Sequence, residues 1–374
     1  MMNTMIPVNA PVVTPESKAL VAKALEEGWI SSAGPYIEQF ETEFASYLGV
    51  KHAISVNTGT AALHIALLAA GIGEGDEVIV PSFTMAASWM AVMYTGAIPV
   101  FVDVEPDIYT INPDLIEQAI TPRTKAIMPV HIYGHPADMD KVLPIAKKHN
   151  LIVIEDAAEA HGATYKGRLT GTIGDINAFS FYANKIITTG EGGMVTTDND
   201  EYAGLARRMK DLAHSQNKRF IHDALGYNYR LTSMQAALGS GQLKHIDEFL
   251  TIKRHMAEKY VQGLKGIPGL TLPVTRAWAT HVYWMYAVLI DEKKFGMNKD
   301  QFRAVLLEKG VDTRDFFYAP VTQPALTNVG FGKGDFPVTE MIAKNGCYLP
   351  SGLAITDDQI DSVCETIRSI CPKL

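Results

Sequence analysis

One lysine lies between an aromatic run and a glycine-rich turn in the segment FSFYANKIITTGEGG, residues 179–193. The apolar residues before Lys185 are unusual neighbours for an exposed charge, since lysines are rarely buried. A buried lysine has a lowered pKa and can attack a carbonyl carbon to form an imine. Lys185 is therefore the first candidate catalytic residue. The glycines at positions 190–193 are interpreted as a tight turn that leaves room beside the lysine.

A carboxylate ends the apolar part of LIVIEDAAEAHGA, residues 151–163. Asp156 lies where a short buried strand stops, at the edge where open α/β sheets bind their ligands. A buried carboxylate left unpaired costs about 3–5 kcal/mol, so a partner is expected for it. The alternative is a structural role, in which Asp156 caps the turn that follows.

A polar turn leads directly into an apolar helix in SVNTGTAALHIALLAAG, residues 55–71. The free N–H groups and the positive dipole at such a helix start bind anions, and the hydroxyl of Thr60 can add a donor. A phosphate group would fit this site. The alternative is ordinary helix capping by Asn57 or Thr58.

An amine, a carboxylate and a phosphate site are together what pyridoxal phosphate (PLP) requires. Its aldehyde needs a lysine, its ring nitrogen needs an acidic partner and its phosphate needs hydrogen-bond donors. Other cofactors fit less well. GIGEGDEV, residues 71–78, follows a helix and enters a strand, the reverse of a dinucleotide-binding loop. His131 and His135 lie in a predicted loop, which does not favour a metal site.

Composition restricts the class of protein. The chain has 374 residues, of which 47% are hydrophobic and 20% charged, and this favours a globular protein. We predict a large domain over residues 1–250 and a smaller one over residues 251–374. The 41 acidic residues outnumber the 33 basic ones, so nucleic acid is not an expected partner. Cys347, Cys364 and Cys371 show no disulfide or zinc spacing, which favours the cytoplasm.

Apolar runs alternate with helical segments through the first two thirds of the chain. We predict strands at EVIVP, IPVFVDV, KAIMPVHIYG, LIVIEDA, INAFSFY and GGMVTTD, and helices over residues 113–120 and 138–150, the second capped by Asp138. This alternation predicts an α/β fold with a mostly parallel sheet. Val78–Val102 has no charged residue, but its prolines and glycine favour a strand, a helix and a strand over a membrane span.

The last third of the chain has a different pattern. We predict a charged helix over residues 251–264, a strand over 282–290, a helix from about Lys299 and a final helix from about Asp357. The N-terminal segment MMNTMIPVNAPVVTPES lacks the features of a secretion signal.

Over essentially its whole length, the sequence resembles the DegT/StrS-type nucleotide-sugar aminotransferases, which are PLP-dependent. The resemblance rests on NTGTAALHIAL, EGDEVIVPSFT, GAIPVFVDV, IEDAAEAHGA, GDINAFSFYANKIITTGEGGMV and GYNYRLTSMQAALG. It implies the type I aspartate aminotransferase fold, with a large domain and a smaller C-terminal α/β domain.

The resemblance also implies roles for individual residues. Lys185 would bond to PLP and transfer protons, and Asp156 would pair with the ring nitrogen. Asn228 would reach the phosphate of the neighbouring subunit's cofactor, which implies a homodimer with shared active sites. The phosphate contacts within the subunit would be Thr60, Ala61 and Ser180.

Two positions depart from the family pattern. Met85 stands where an aromatic residue often stacks on the cofactor ring, and Trp89, one helical turn later, is a candidate replacement. Glu159 stands where glutamine or histidine is common, and it would contact the ring hydroxyl only in a suitable protonation state.

The implied reaction transfers the amino group of L-glutamate to a nucleotide-linked 4-keto-6-deoxy sugar. HVYWMYAVLI and EDAAEAHGA are most similar to members that aminate C4 of GDP-4-keto-6-deoxymannose; UDP- or dTDP-linked sugars and 3-keto sugars are alternatives. Two alternative functions for this chain are non-catalytic binding of a nucleotide sugar and catalysis as a PLP-dependent lyase or desulfurase. Candidate contacts for the diphosphate or the donor carboxylate are the cationic side chains His214, Arg219, Arg230 and His281.

The assignment of Lys185 predicts the behaviour of a histidine variant. Some relatives carry histidine at this position and dehydrate their substrates. We therefore expect Lys185→His to lose amino-group transfer, as measured by 2-oxoglutarate released from L-glutamate. Turnover retained by this variant would contradict the assigned role.

Overall fold

The computed structural model describes residues 5–215, 217–218 and 220–371. The helices are α1 (Pro15–Glu26), α2 (Pro35–Leu48), α3 (Gly59–Ala69), α4 (Ala86–Tyr94), α5 (Met139–His149), α6 (Asp200–Lys210), α7 (Ser233–Leu243), α8 (Ile246–Leu264), α9 (Glu292–Phe295), α10 (Lys299–Glu308), α11 (Pro324–Thr327), α12 (Pro337–Asn345) and α13 (Asp357–Ile370). Short 3₁₀ turns occupy Pro113–Leu115, Glu117–Ala119, Ile132–Gly134 and Pro320–Thr322.

The strands are β1 (His52–Val56), β2 (Glu77–Pro81), β3 (Ile98–Val102), β4 (Thr124–Ile127), β5 (Ile152–Asp156), β6 (Thr164–Tyr165), β7 (Arg168–Leu169), β8 (Ile176–Ser180), β9 (Gly193–Thr197), β10 (Leu270–Thr271), β11 (Ala279–Thr280), β12 (Tyr286–Ile290), β13 (Arg314–Asp315) and β14 (Gly346–Leu349). They form three sheets of seven, four and three strands.

The largest sheet has the order β1-β9-β8-β5-β4-β2-β3. Strands β8, β5, β4, β2 and β3 pair in parallel, while β9 runs antiparallel to both its neighbours. Strands β2, β8 and β9 are buried along their whole length, as expected for a sheet covered on both faces. The predicted α/β fold with a mostly parallel sheet is confirmed.

The small C-terminal sheet has the antiparallel order β10-β12-β14-β13. An apolar cluster beside it joins side chains from α8, α10 and α13. Helix α8 begins at Ile246, five residues before the predicted start, so the predicted boundary at residue 250 falls within a helix. The division into two domains stays a prediction.

Two local predictions were wrong. Residues 113–120 form 3₁₀ turns and no α-helix, since so short a segment gains few hydrogen bonds for the cost of starting a helix. Asp138 precedes α5, but its carboxylate does not cap the helix. It accepts a hydrogen bond from the Tyr165 hydroxyl at 2.7 Å, so a tertiary contact replaces the local one.

Val78–Val102 forms strand β2, helix α4 and strand β3, as predicted. Within the described residues, no helix combines the length and the apolar character needed to cross a membrane. The same residues contain no cluster of three or more potential metal ligands. Cys347 and Cys364 are buried free thiols.

Asp103, just after β3, ties the large sheet to α12. Its buried carboxylate accepts hydrogen bonds from the amides of Val338 and Thr339 at 2.9 and 3.0 Å and from the Thr339 hydroxyl at 2.8 Å. These amides belong to the first turn of α12, so a residue distant in sequence caps this helix. This contact fixes the position of α12 against the strand ends.

Asp103→Ala should therefore lower the free energy of unfolding by about 2 kcal/mol, since it leaves buried donors unpaired. Urea denaturation monitored by circular dichroism measures the change. The control is Asp114→Ala, which removes an exposed carboxylate paired with Lys141 and should change stability by less than about 1 kcal/mol. Equal effects of the two substitutions would refute the capping role of Asp103.

Candidate active site

The candidate residues lie at one edge of the large sheet. Asp156 is the last residue of β5 and Ser180 is the last residue of β8, and these two strands are parallel neighbours. Lys185 follows in the connection between β8 and β9. Because parallel strands end at the same edge, chain segments distant in sequence meet here.

Glycine shapes the connection that carries Lys185. Gly190 has a φ angle of 82°, and Gly192 has a φ angle of 159°. A Cβ atom on Gly192 would lie 2.2 Å from the Thr189 hydroxyl oxygen. The interpretation of this segment as a tight turn is confirmed, because only glycine adopts this conformation at such close approach.

The amine of Lys185 is buried between a carboxylate and an aromatic ring. Its Nζ lies 3.8 Å from Oε1 of Glu159 and 3.7 Å from the centroid of the Trp284 ring. Burial lowers the pKa of Lys185, while the nearby carboxylates of Glu159 and Asp156 oppose that shift. Burial also raises the pKa of Glu159 to about 7. Burial thus favours the neutral form of both groups, and the charge of each opposes that shift in the other.

Asp156 is 5% exposed, and both of its carboxylate oxygens accept hydrogen bonds. The Ser88 hydroxyl donates at 2.7 Å and the Ala158 amide at 3.1 Å, so the capping alternative also describes this residue. Burial raises the pKa of Asp156. Each oxygen keeps a second lone pair, so the carboxylate can accept a further hydrogen bond from a protonated ring nitrogen.

Glu155 fixes the end of β5 from the other face of the sheet. Its carboxylate accepts hydrogen bonds from His131 Nε2 at 2.7 Å and from the amides of Gly171, Ile173 and Gly174 at 3.0, 2.6 and 2.7 Å. Burial acts to raise the pKa of Glu155, but these donors hold it below its ordinary value. The adjacent Asp156 is therefore held on a rigid strand end.

The start of α3 offers the predicted phosphate site. The Thr58 hydroxyl oxygen accepts a hydrogen bond from the Ala61 amide at 3.0 Å, so capping by Thr58 is confirmed. This bond occupies the Ala61 amide, which was a predicted phosphate contact. A Cβ atom on Gly59 would lie 2.6 Å from Cβ of Ser180, so the helix start directly adjoins Ser180. Thr60 and Ser180 are thus brought to one place.

The predicted ring-stacking residues behave differently from each other. Met85 precedes α4, is 50% exposed, and its sulfur accepts a hydrogen bond from the Ala87 amide at 2.9 Å. Trp89 is only 4% exposed and packs in the apolar core beside the sheet. The suggestion that Trp89 replaces an aromatic residue on the cofactor therefore stays a prediction, since its ring packs among core side chains beside the sheet.

The predicted substrate contacts are scattered. Asn228 is exposed, and Arg230 beside it forms an ion pair with Asp211. The ring of His214 lies 4.5 Å from that of His222. Arg219 lies outside the described residues. None of these contacts places a side chain beside Lys185.

His281 does not match the cationic role predicted for it. The residue is 5% exposed and its ring stacks on Tyr283 with centroids 3.9 Å apart. Burial lowers the pKa of His281 well below its ordinary value, so the ring is neutral at pH 7. A neutral imidazole cannot pair with a diphosphate as a cation would.

Sequence analysis missed three residues that successive contacts connect to Glu159, the carboxylate beside Lys185. Tyr133 has a φ angle of 52°, and its amide donates to Oε2 of Glu159 at 2.7 Å. Tyr348 packs against Tyr133 with ring centroids 6.0 Å apart. Arg314 pairs with Tyr348 across β13 and β14, is exposed, and has no ion pair in the part of the chain described. The aromatic runs HVYWMYAVLI and RDFFY were the available signals, but they also suit buried strands.

These residues fit PLP, because the site combines a desolvated amine, a buried carboxylate with spare lone pairs, and a helix start beside a serine hydroxyl. On this fold the arrangement defines a PLP-dependent aminotransferase. The chain belongs to the DegT/DnrJ/EryC1/StrS aminotransferase family, whose profile matches residues 11–368.

Similar proteins cover nearly the whole chain. GDP-perosamine synthase of Caulobacter vibrioides is 43% identical over 366 residues, which are 98% of each chain. That of Escherichia coli O157:H7 is 42% identical and covers 97% of this chain and 98% of its own. The solved structure of DesV from S. venezuelae has a TM-score of 0.89 and 40% identity, covering 96% of this chain and 95% of its own. The PLP form of Spr1654 from Streptococcus pneumoniae has a TM-score of 0.91 and 26% identity, covering 98% of each chain.

Glu159→Gln should lower the pKa of Lys185, because the carboxylate at 3.8 Å raises it in the unmodified protein. The pH dependence of Lys185 labelling by acetic anhydride in cofactor-free protein, followed by peptide mass spectrometry, measures this change. The half-maximal rate should move to lower pH, whereas Glu38→Gln on the exposed face of α2 should not move it. A shift to higher pH would show that the two side chains do not interact as described.

Proposed function

We propose that this protein transfers the amino group of L-glutamate to C4 of GDP-4-keto-6-deoxymannose and so forms GDP-perosamine. The observation that carries amino transfer is the buried Lys185 amine beside Glu159, with Asp156 at the adjoining strand end. The GDP-linked substrate is supported by the GDP-perosamine synthases, which are 38–43% identical over 97–98% of this chain.

The side chains have separate roles in this proposal. When bound, PLP supplies an aldehyde that takes up the amino group and a ring that accepts electrons. Lys185 holds the aldehyde carbon and, once released, moves a proton as a general acid and base. Glu159, with a pKa of about 7, takes or returns a proton at the amine of Lys185. Asp156 keeps the ring nitrogen protonated, because a buried carboxylate favours a cation beside it.

The phosphate of the cofactor is assigned to Thr60 and Ser180. Gly59 permits the close approach of these two residues, and the free amides at the start of α3 add donors. Ala61 contributes less than predicted, because its amide already donates to the Thr58 hydroxyl.

Arg314 is the proposed contact for the carboxylate of L-glutamate. It pairs with Tyr348 across the small sheet, and burial, followed by the charge of Glu159, raises the pKa of Tyr348. An exposed guanidinium at the opening of the site can bind a carboxylate with two parallel hydrogen bonds. His214, Arg219 and Arg230 remain candidates for the diphosphate.

A homodimer with shared sites is part of the proposal. Asn228 is exposed, and nearby Ile221 and Leu225 are 52% and 80% exposed. Apolar side chains that protrude beside a polar candidate ligand suit a protein interface. The cytoplasmic location stays a prediction from the sequence.

A second candidate substrate is a dTDP-linked 3-keto sugar. The dTDP-3-amino-3,4,6-trideoxy-alpha-D-glucose transaminase of Streptomyces venezuelae is 40% identical over 94% of this chain. Its name gives both a different nucleotide and a different amination site.

The test is incubation of the PLP-loaded protein with isotope-labelled L-glutamate and GDP-, dTDP- and UDP-linked keto sugars. We expect label only in the GDP-linked product, at C4 by NMR, with release of 2-oxoglutarate. Lys185→Met should abolish transfer, and Lys51→Met, which alters an exposed lysine, should retain it. Label at C3, or in a dTDP-linked product alone, would refute the proposed substrate.

A further inference from the structure

We infer that the face of the Trp284 ring holds the amine of Lys185 whenever that amine is free, and that the buried Lys253 positions Trp284 for this purpose. The inference rests on Lys185 as the reacting amine of the proposed function. It does not depend on which sugar is the substrate.

Lys253 is a buried charge without a carboxylate partner. It lies on α8, is 2% exposed, and its Nζ donates to the main-chain carbonyls of Trp284, at 2.8 Å, and of Ser351. Among the described residues, no acidic side chain pairs with it. Burial lowers the pKa of Lys253 to about 7. An apolar side chain would fill this place at lower cost, so its two hydrogen bonds are the specific contribution of the lysine.

Trp284 is held at three points. Its carbonyl accepts from Lys253, its amide donates to the Tyr133 carbonyl at 2.9 Å, and its indole N–H donates to the Asn184 carbonyl at 2.8 Å. Asn184 is the residue immediately before Lys185. The ring is therefore fixed both to the small sheet and to the segment that carries the reacting amine.

Trp284 and Glu159 are also positioned by the same residue. Tyr133 accepts from the Trp284 amide through its carbonyl and donates to Glu159 through its own amide. The Lys185 amine lies 3.7 Å from the ring centroid and 3.8 Å from the Glu159 oxygen. One main-chain segment thus sets both groups that contact the amine.

The space around the two lysines is nearly filled. Lys185 and Lys253 line a common cavity of about 10 Å³, room for about one water molecule. The Lys185 side chain is only 10% exposed, so its amine is largely removed from bulk water. An indole face attracts a protonated amine through the negative charge density of its π system, and so it favours the free, charged form of Lys185.

Other titratable groups also face the amine. Glu159 and Asp156 raise the pKa of Lys185 through their charges, and the buried His161, whose own pKa is lowered to about 3, stays neutral. Lys253 lies across the common cavity. The contribution of Trp284 must therefore be measured with both carboxylates in place.

The test is the pH dependence of Lys185 labelling in cofactor-free protein. Trp284→Leu should move the half-maximal labelling rate to lower pH by about half a unit or more, because the charged amine loses the ring. Trp284→Phe should give a smaller shift in the same direction, since it keeps a ring but not the indole N–H. An unchanged midpoint in both variants would overturn the role of Trp284.

Lys253→Met tests the positioning role, because methionine fills a similar space without the two hydrogen bonds. We expect a downward shift smaller than that of Trp284→Leu, together with a lower kcat at unchanged KM for L-glutamate. The control Lys259→Met, on the same helix but paired with Asp361, should change neither value. A Lys253→Met protein with the original midpoint and kcat would overturn the positioning role.

Borohydride reduction of the PLP-loaded protein separates this inference from the proposed function. Attachment of the cofactor at a residue other than Lys185 would refute the proposed function, whatever the labelling shows. Attachment at Lys185 with unchanged labelling midpoints in the Trp284 variants would refute only the inference.

Discussion

The burial of the Lys185 amine is the constraint on which the site depends. An ammonium removed from water loses its hydration, and only nearby carboxylates and aromatic faces can replace part of that loss. The amine lies 3.8 Å from a carboxylate oxygen of Glu159 and 3.7 Å from the centroid of the Trp284 ring. Asp156 adds a second negative charge. The balance lowers the pKa of the lysine, which suits a group that must both attack and carry protons.

The carboxylates need support of their own. Asp156 is held by Ser88 and by the turn that follows it, and Glu155 anchors the same strand from the opposite face through His131 and three amides. Buried charges placed on a parallel strand end have little freedom to move. This rigidity keeps the carboxylates at fixed positions relative to the Lys185 amine and the start of α3.

The C-terminal part of the chain closes the site from the other side. Trp284, Arg314 and Tyr348 come from strands of the small sheet or the residues next to them. Asp103 caps α12 and the Lys253 amine donates to the Trp284 carbonyl, so polar contacts join segments that are distant in sequence. The stacked rings of Tyr133 and Trp284, with centroids 6.2 Å apart, therefore come from different halves of the chain.

The sequence by itself determined the parts of the site whose signal is local. Strand ends, helix starts and glycine turns follow from patterns of a few residues, and these pointed to Lys185, Asp156 and Thr60, whereas Ser180 came only from the family resemblance. The α/β class followed from the same patterns, since strands buried on both faces are apolar along their length.

Only the tertiary structure decided which distant side chains complete the site. Trp89 and Trp284 both stand in apolar runs and are both buried, and nothing local shows that Trp284 contacts the Lys185 amine while Trp89 packs beside the large sheet. Asp138 has the residue type for helix capping, yet it accepts a hydrogen bond from the hydroxyl of Tyr165, 27 residues away. His281 has the residue type for anion binding, yet burial lowers its pKa and favours its neutral form. Contacts and burial are properties of the folded chain, and they set the charge and role of these groups.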